Sequence, residues 1–246
     1  ITCASLYTGT IPVDKKEITS DNSNRFPHLS CGFHFREYLV KNGIDCLPEI
    51  IDAVEVKCTA ERKVIAETYS PELWEIVNVT NRVSQNMFAE TILKTIGKEL
   101  TGVGSYDSSF VALERVLVEM GVNTTGFTQE DGSGLSRQNY VSPKFFCNYY
   151  GKMQESGIFA EFFGSLPMPG GPGTLKSVLK EADQKIKDRI HAKSGSLANV
   201  RCYAGYVQGN KKHGLVRFAI LTNNFAVPTS KMQPKIEGFM KALATW

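Results

Sequence analysis

Three short segments carry the side chains most suited to chemistry. Ser84-Gln85-Asn86 sits just before a predicted helix, in NRVSQNMFAE. Asp131-Gly132-Ser133-Gly134-Leu135-Ser136 is a tight acidic-glycine turn. Lys193-Ser194-Gly195-Ser196 lies on a predicted strand, in HAKSGSLANV. Hydroxyls, a carboxamide and an ammonium group are the material of proton transfer and acyl transfer at a serine. Each segment also has a plainer reading. On local sequence alone Ser84 is a cap for the helix starting near Gln85. Lys193 alone is a solvated strand lysine. Asp131 and Ser133 read as structural, bonding local backbone while the glycines permit positive φ. His191 shares strand parity with Lys193 and reads as a half-buried spacer; Arg137 and Arg201 read as surface or ion-pair residues.

Other chemistries fail on their signatures. The chain holds no G-x-S-x-G for a nucleophile elbow and no H-E-x-x-H. His28, His34, His191 and His213 lack metal-ligand spacing, and no P-loop or Gly-rich dinucleotide fingerprint follows a strand. Cys3, Cys31, Cys46, Cys58, Cys147 and Cys202 are scattered with no C-x-x-C pair, which removes zinc-ribbon and redox-motif readings. Most read as buried thiols, with one or two disulfides left open.

The elements that must position these residues change type along the chain. Residues 1–28 mix Thr, Asp, Asn and Ser with short apolar runs and read as a linking segment. From Leu29 a helical pattern runs through Phe33, Tyr38 and Leu39 to a stop at Gly43. Val64 to Tyr69 reads as a short strand. Ser70-Pro71 then reads as N-cap and first residue of a helix. Asn86 to Ile96 forms the next helix, closed by Gly97. Ser105 to Met120 follows, ending at Gly121, and Ser142-Pro143 starts another. Leu166 to Thr174, LPMPGGPGT, must be a loop. Arg189 to Ser196, Asn199 to Gln208 and Leu215 to Asn223 then read as three strands, the last two joined at Gly209-Asn210. A final amphipathic helix carries Met232, Ile236, Phe239, Met240 and Leu243. Helices, an antiparallel meander and one packing helix predict an α/β domain of the α+β type, a sheet flanked by helices and not a βαβ parallel fold.

Composition sets outer bounds. With 246 residues, 42% hydrophobic and 22% charged, the chain can bury a core without staples. A net charge of +3 argues against a nucleic-acid binder. Apolar runs fall far short of the roughly 20 residues of a membrane helix, so no span is expected. ITCASLYTGT at the start is no signal peptide, so no compartment is read from it.

Ser-x-Asn followed by Lys-Ser/Thr-Gly is two of the three elements of penicillin-recognising serine acyltransferases. In that order, with GTIPVD, NGI, VSQNMFAETILKTIG, DGSGLSRQNYVSP, LP…GTLK, AKSGSLANVRCYAGYV and LTNN, the chain resembles the D-alanyl-D-alanine carboxypeptidase/endopeptidase family. This is the branch of low-molecular-mass penicillin-binding proteins with inserted domains. The resemblance implies a partial penicillin-binding-protein/β-lactamase-like transpeptidase fold over residues 29–246, entered by the linking segment 1–28. It implies hydrolysis of peptidoglycan stem peptides ending in D-Ala-D-Ala through an acyl-enzyme, in the periplasm or extracytoplasmic envelope, without a cofactor and with β-lactams as inhibitors. It further implies that Ser84 relays a proton to the leaving amine and that Asn86 hydrogen-bonds the substrate backbone and the motif lysine. Lys193 supplies positive potential for the terminal carboxylate, and the Ser194 and Ser196 hydroxyls bond it. Gly195 lets an extended peptide lie close, and the Ser196 N–H forms half of an oxyanion hole.

One element departs from the family pattern. The nucleophile belongs to a Ser-x-x-Lys ahead of Ser84, and no serine there has lysine three residues later. Ser177-Val178-Leu179-Lys180 matches but lies in the wrong order and reads as chance. The expectation is a C-terminal portion that holds two motifs but no nucleophile and is inactive alone, its unfinished sheet open to association. A catalytically dead binding relative and a β-lactamase are the alternatives.

Overall fold

The computed structural model describes residues 27–46, 59, 61, 63–64, 67–210 and 212–246, with only the backbone of 27 and 28. The chain divides into two units, 1–68 and 69–246. In the first, α1 spans Pro27–Lys41. It ends as its sequence predicts, with Gly43 at φ +79° and the Ile44 N–H returning to the Leu39 carbonyl. Phe33 and Tyr38 of its apolar pattern stay exposed. The strand expected over Val64 to Tyr69 is not formed among the described residues: 64 and 67–69 have no regular structure, and no ladder partner lies beside them. The linking segment 1–28 lies outside the described residues, apart from the backbone of its last two.

The second unit holds the remaining elements: α2 Leu73–Val83, α3 Asn86–Thr101, α4 Tyr106–Glu119, α5 Pro143–Gln154, α6 Phe159–Ser165 and α7 Gln184–Lys187. These are followed by β1 Ile190–Leu197, β2 Val200–Gln208, β3 Leu215–Asn223 and α8 Thr229–Thr245. The strands form the expected antiparallel meander in the order β1-β2-β3. Its register pairs Lys193 with Ala204 and Tyr203 with Ile220. Alternation sends Ile190, Ala192, Tyr203 and Phe218 to one face, where they pack with Leu175, Ile236, Met240 and Ala244. The opposite face carries Ala204 and Tyr206, packed with Tyr150 of α5, Leu166, and the partly buried Phe162 and Phe163 of α6. The sheet is thus flanked by helices on both sides. Phe239 of the α8 pattern stays 52% exposed, so the core stripe is Met232, Ile236, Met240, Leu243 and Ala244.

Local capping decides where several helices begin. Ser105 and Ser142 accept from the N–H groups of Ser108 and Phe145, as expected of N-caps. Ser70 does not cap α2. The chain stays extended through Glu72, at φ −60° and ψ 147°, whose carbonyl starts the helical bonds and whose carboxylate takes the Trp74 indole N–H. Gly97 does not close α3 either. The helix continues to Thr101, and Gly102 at φ +81° ends it. Gly97 is instead a contact point: a Cβ there would come 2.8 Å from the Ser109 Cα of α4. The loop Leu166 to Thr174 is a loop as predicted, but Leu166, Pro167 and Pro169 are buried.

Candidate active site

Two elements bring the first and third sequence motifs together. α2 ends at Ser84, which adopts the left-handed conformation, φ 59° and ψ 54°, with its N–H donated to the Thr80 carbonyl. A non-glycine residue there bears about 1–2 kcal/mol of strain. That twist lifts Ser84 out of both flanking helices, and Gln85 takes the N-cap position of α3. The plainer reading of Ser84 as the cap of α3 is therefore set aside. Its hydroxyl faces β1, where Lys193 Nζ donates to Ser84 Oγ at 2.8 Å and to the Ser194 carbonyl at 2.8 Å. Residues 109 positions apart in sequence meet here.

Burial pushes the Lys193 ammonium down to about 8 from its ordinary 10.5. It remains mostly a cation at neutral pH, and no carboxylate among the described residues pairs with it. Two of its three N–H donors are used, so one can still meet an anion. β1 lies at the edge of the sheet. The Ala192 N–H points away from β2 and donates to the Pro167 carbonyl. By the antiparallel alternation, the backbone N–H and C=O of Ser194 and Ser196 point the same way, along the outer edge. Their side chains alternate onto the α8-facing side, while Lys193 and Gly195 share the face of α5 and α6. A Cβ added at Gly195 would make one ordinary contact, with Cys202 Cβ at 3.7 Å, so nothing crowds the strand there.

Asn86 is the first residue of α3 and is exposed, two positions from Ser84. Its carboxamide makes no hydrogen bond among the described residues, and the lysine is bonded to Ser84 rather than to it. His191 lies on the Lys193 face, half-buried and stacked 4.0 Å from the Phe163 ring; burial lowers its basicity. That is the spacer role its parity suggests. Arg137 is exposed, and Arg201 Nε donates to Gln233 Oε1 at 3.0 Å. Ser177 to Lys180 forms turns, not a helix, with Val178 and Leu179 buried in the α8-facing core. Its serine and lysine thus lack the helical spacing their motif requires.

The DGSG turn is structural, as read, but its clamp escaped the sequence. Glu90 of α3 accepts the Gly132 N–H at 2.9 Å, and the Ser133 N–H and hydroxyl at 3.0 and 2.6 Å. Tyr106 donates to the same carboxylate. Burial raises the affinity of Glu90 for a proton, yet the bonds from Ser133, Gly132 and Tyr106 outweigh it and hold the carboxyl below the usual range. Asp131 ties the turn internally through the Gly134 and Ser136 N–H groups and Asn139. A turn rich in N–H donors is the one hint the sequence offers, and it does not name a partner 42 residues away.

Comparison with known proteins follows the same outline. Residues 5–245 match the D-Ala-D-Ala carboxypeptidase 3 (S13) family. The chain is 30% identical over 226 residues to a D-alanyl-D-alanine carboxypeptidase of Actinomadura sp. (strain R39), covering 90% of this chain and 41% of that protein. It is 30% identical over 167 residues to penicillin-sensitive carboxypeptidase A of Dictyostelium discoideum, covering 64% of this chain and 31% of the relative. The fold superposes on penicillin binding protein 4 (dacB) from Haemophilus influenzae, complexed with a β-lactam, with a TM-score of 0.77 at 19% identity. That match covers 88% of this chain and 50% of the other. The chain therefore spans at most half the length of these relatives.

Proposed function

The chain belongs to the D-Ala-D-Ala carboxypeptidase 3 (S13) family, and from that premise we propose that it is part of a serine-type D-Ala-D-Ala carboxypeptidase/endopeptidase. The substrate is a peptidoglycan stem peptide ending in D-Ala-D-Ala, met outside the cytoplasmic membrane. No helix among the described residues is long and apolar enough to cross a membrane. The observation that carries this reading is the Lys193–Ser84 contact of 2.8 Å beside the outer edge of β1.

The peptide lies extended along β1, adding a strand to the edge through the backbone groups of Ser194 and Ser196. Its terminal carboxylate sits at the strand margin, where the Lys193 ammonium reaches over to the outward-pointing Ser194 carbonyl and the motif serine hydroxyls approach from the other face, charge-assisted bonds of about 1.5–3 kcal/mol each. A serine hydroxyl from a Ser-x-x-Lys segment outside these residues attacks the carbonyl between the two D-Ala residues. The new ester C–O bond forms, the C–N bond breaks, and the proton given up by the attacking hydroxyl reaches the leaving amine through Ser84 Oγ. Lys193 donates to Ser84 Oγ, which leaves the Ser84 O–H proton available to the amine. The Ser196 N–H stabilises the oxyanion, a contribution of roughly 10²–10³ in rate for one donor. Water then hydrolyses the ester. Asn86, exposed on the first turn of α3, hydrogen-bonds the substrate backbone in this reading.

The test is made on the full-length protein with Lys193→Ala. β-Lactam acylation and D-Ala release are both expected to fall by orders of magnitude, while unchanged acylation kinetics would remove Lys193 from the site. For the 246 residues alone, intact-mass analysis after penicillin treatment is expected to show no covalent adduct; a stoichiometric adduct would refute the assignment of the nucleophile.

A further inference from the structure

The partly buried loop between α6 and the α8-facing core is anchored at both ends to the residues that precede the two motifs. At one end the Thr174 N–H donates to the Arg82 carbonyl at 3.0 Å, two residues before Ser84. At the other, the Pro167 carbonyl accepts the Ala192 N–H at 3.0 Å, one residue before Lys193. The α2 side is tightened twice more: Asn81 Nδ2 donates to Ser165 Oγ at 2.8 Å, and an Arg82 guanidinium N–H donates to the Gly164 carbonyl at 3.2 Å. Two turns stiffen the span between the anchors, Gly171 N–H to the Met168 carbonyl and Gly170 N–H to the Leu175 carbonyl, both at 3.1 Å. Leu166, Pro167 and Pro169 are each at most 2% exposed, so the segment cannot swing as a free loop does. With the Lys193–Ser84 bond it closes a ring: α2, loop, β1 and back across the site.

We propose that residues 164–174 form a strap that fixes the separation of Ser84 and Lys193, with Gly173 and Pro167 as its positioning residues. The inference rests on the reading of Ser84 and Lys193 as a working pair. Gly173 is the point where the strap admits least change. Its φ is +109°, and a Cβ there would lie 2.2 Å from the Arg82 carbonyl oxygen and 2.9 Å from Arg82 Cγ. A side chain at 173 must therefore push α2 away from the loop or break the Thr174–Arg82 bond, and either shift is transmitted to Ser84. Gly170 provides the matched control. It also has a positive φ, +76°, but a Cβ there meets only the flexible Lys187 side chain, at 3.4 Å. Alanine at 170 thus strains the same loop without touching α2.

The experiment compares Gly173→Ala with Gly170→Ala in the full-length protein by two readouts: NMR titration of the Lys193 side chain, and the rate of acylation by benzylpenicillin. Lys193 owes its low proton affinity to burial beside Ser84. In Gly173→Ala its midpoint is expected to rise toward that of an ordinary lysine by about one unit, a tenfold change in proton affinity. Acylation is expected to slow by about tenfold or more, the scale of a sub-ångström to 1 Å misplacement. Gly170→Ala should move neither beyond about twofold while losing only the thermal stability that a positive φ costs an alanine. Asn81→Ala, which deletes one strap contact without adding bulk, should move both readouts the same way by less, and it keeps the question decidable if Gly173→Ala does not fold. An unmoved Lys193 in folded Gly173→Ala or Asn81→Ala, or equal effects at 170 and 173, would overturn the strap. Loss of the site reading is a separate result: Ser84→Ala and Lys193→Ala would then leave acylation untouched, whatever Lys193 does in the glycine variants.

Discussion

Replacing Lys193 by methionine is expected to stabilise the fold. A lysine whose midpoint falls from 10.5 to about 8 bears a penalty on its charged form that converts to about 3 kcal/mol. The unfolded chain holds that proton up to about pH 10.4, whereas the folded chain releases it near 8. Between these values the unfolded state binds more protons, so this residue makes stability rise with pH. Below 8 both states are charged and the folded state carries the full penalty. Methionine matches the unbranched stem and removes the charge. Against that gain stand the bonds to Ser84 Oγ and the Ser194 carbonyl; their charge-assisted part is already contained in the lowered midpoint, and the remainder is that of two neutral bonds, about 1–2 kcal/mol together. Lys193→Met should therefore be more stable than the parent by about 1–2 kcal/mol at pH 7, with the difference vanishing or reversing by pH 10.5. Urea titrations of both proteins across this range measure it. A less stable variant at pH 7, or a gap that ignores pH, would refute the argument that burial sets the state of Lys193.

Two further outcomes test the scaffold. Glu90→Gln replaces an acceptor by a donor facing the N–H groups of Gly132 and Ser133, and should destabilise the protein by about 1–3 kcal/mol in thermal melts. The parent should also lose this contribution as pH falls through the lowered midpoint of Glu90, so a stability curve flat below pH 5 in both proteins would contradict the clamp. Gly97→Ala should destabilise by about 1–3 kcal/mol through overpacking of α3 on α4, and a neutral result would show that the helices part freely.

What the sequence revealed divides along the range of the interactions. Ser105 and Ser142 were legible as caps because their bonds span three residues, and the meander was legible because alternation and turn chemistry are local. Gly97 was misread because a glycine that ends a helix and one that admits a neighbouring helix look alike in one dimension. Ser70-Pro71 carries a proper cap signal, but the carbonyl of Glu72 starts the helix. In the site, order and spacing pointed to Ser84 and Lys193, and the structure sets them 2.8 Å apart. The Glu90 clamp and the anchors of the 164–174 loop were invisible, because each joins backbone to residues dozens of positions away with no repeating pattern.

The exposed margin of β1 bears on solubility as well as recognition. Unpaired strand margins attract other chains indiscriminately. Here a cation stands beside the margin. A backbone carbonyl can accept from it, as that of Ser194 already does, but a carboxylate makes a bond roughly twice as strong. The lysine would thus tilt the same margin toward a short acidic terminus over neutral backbone.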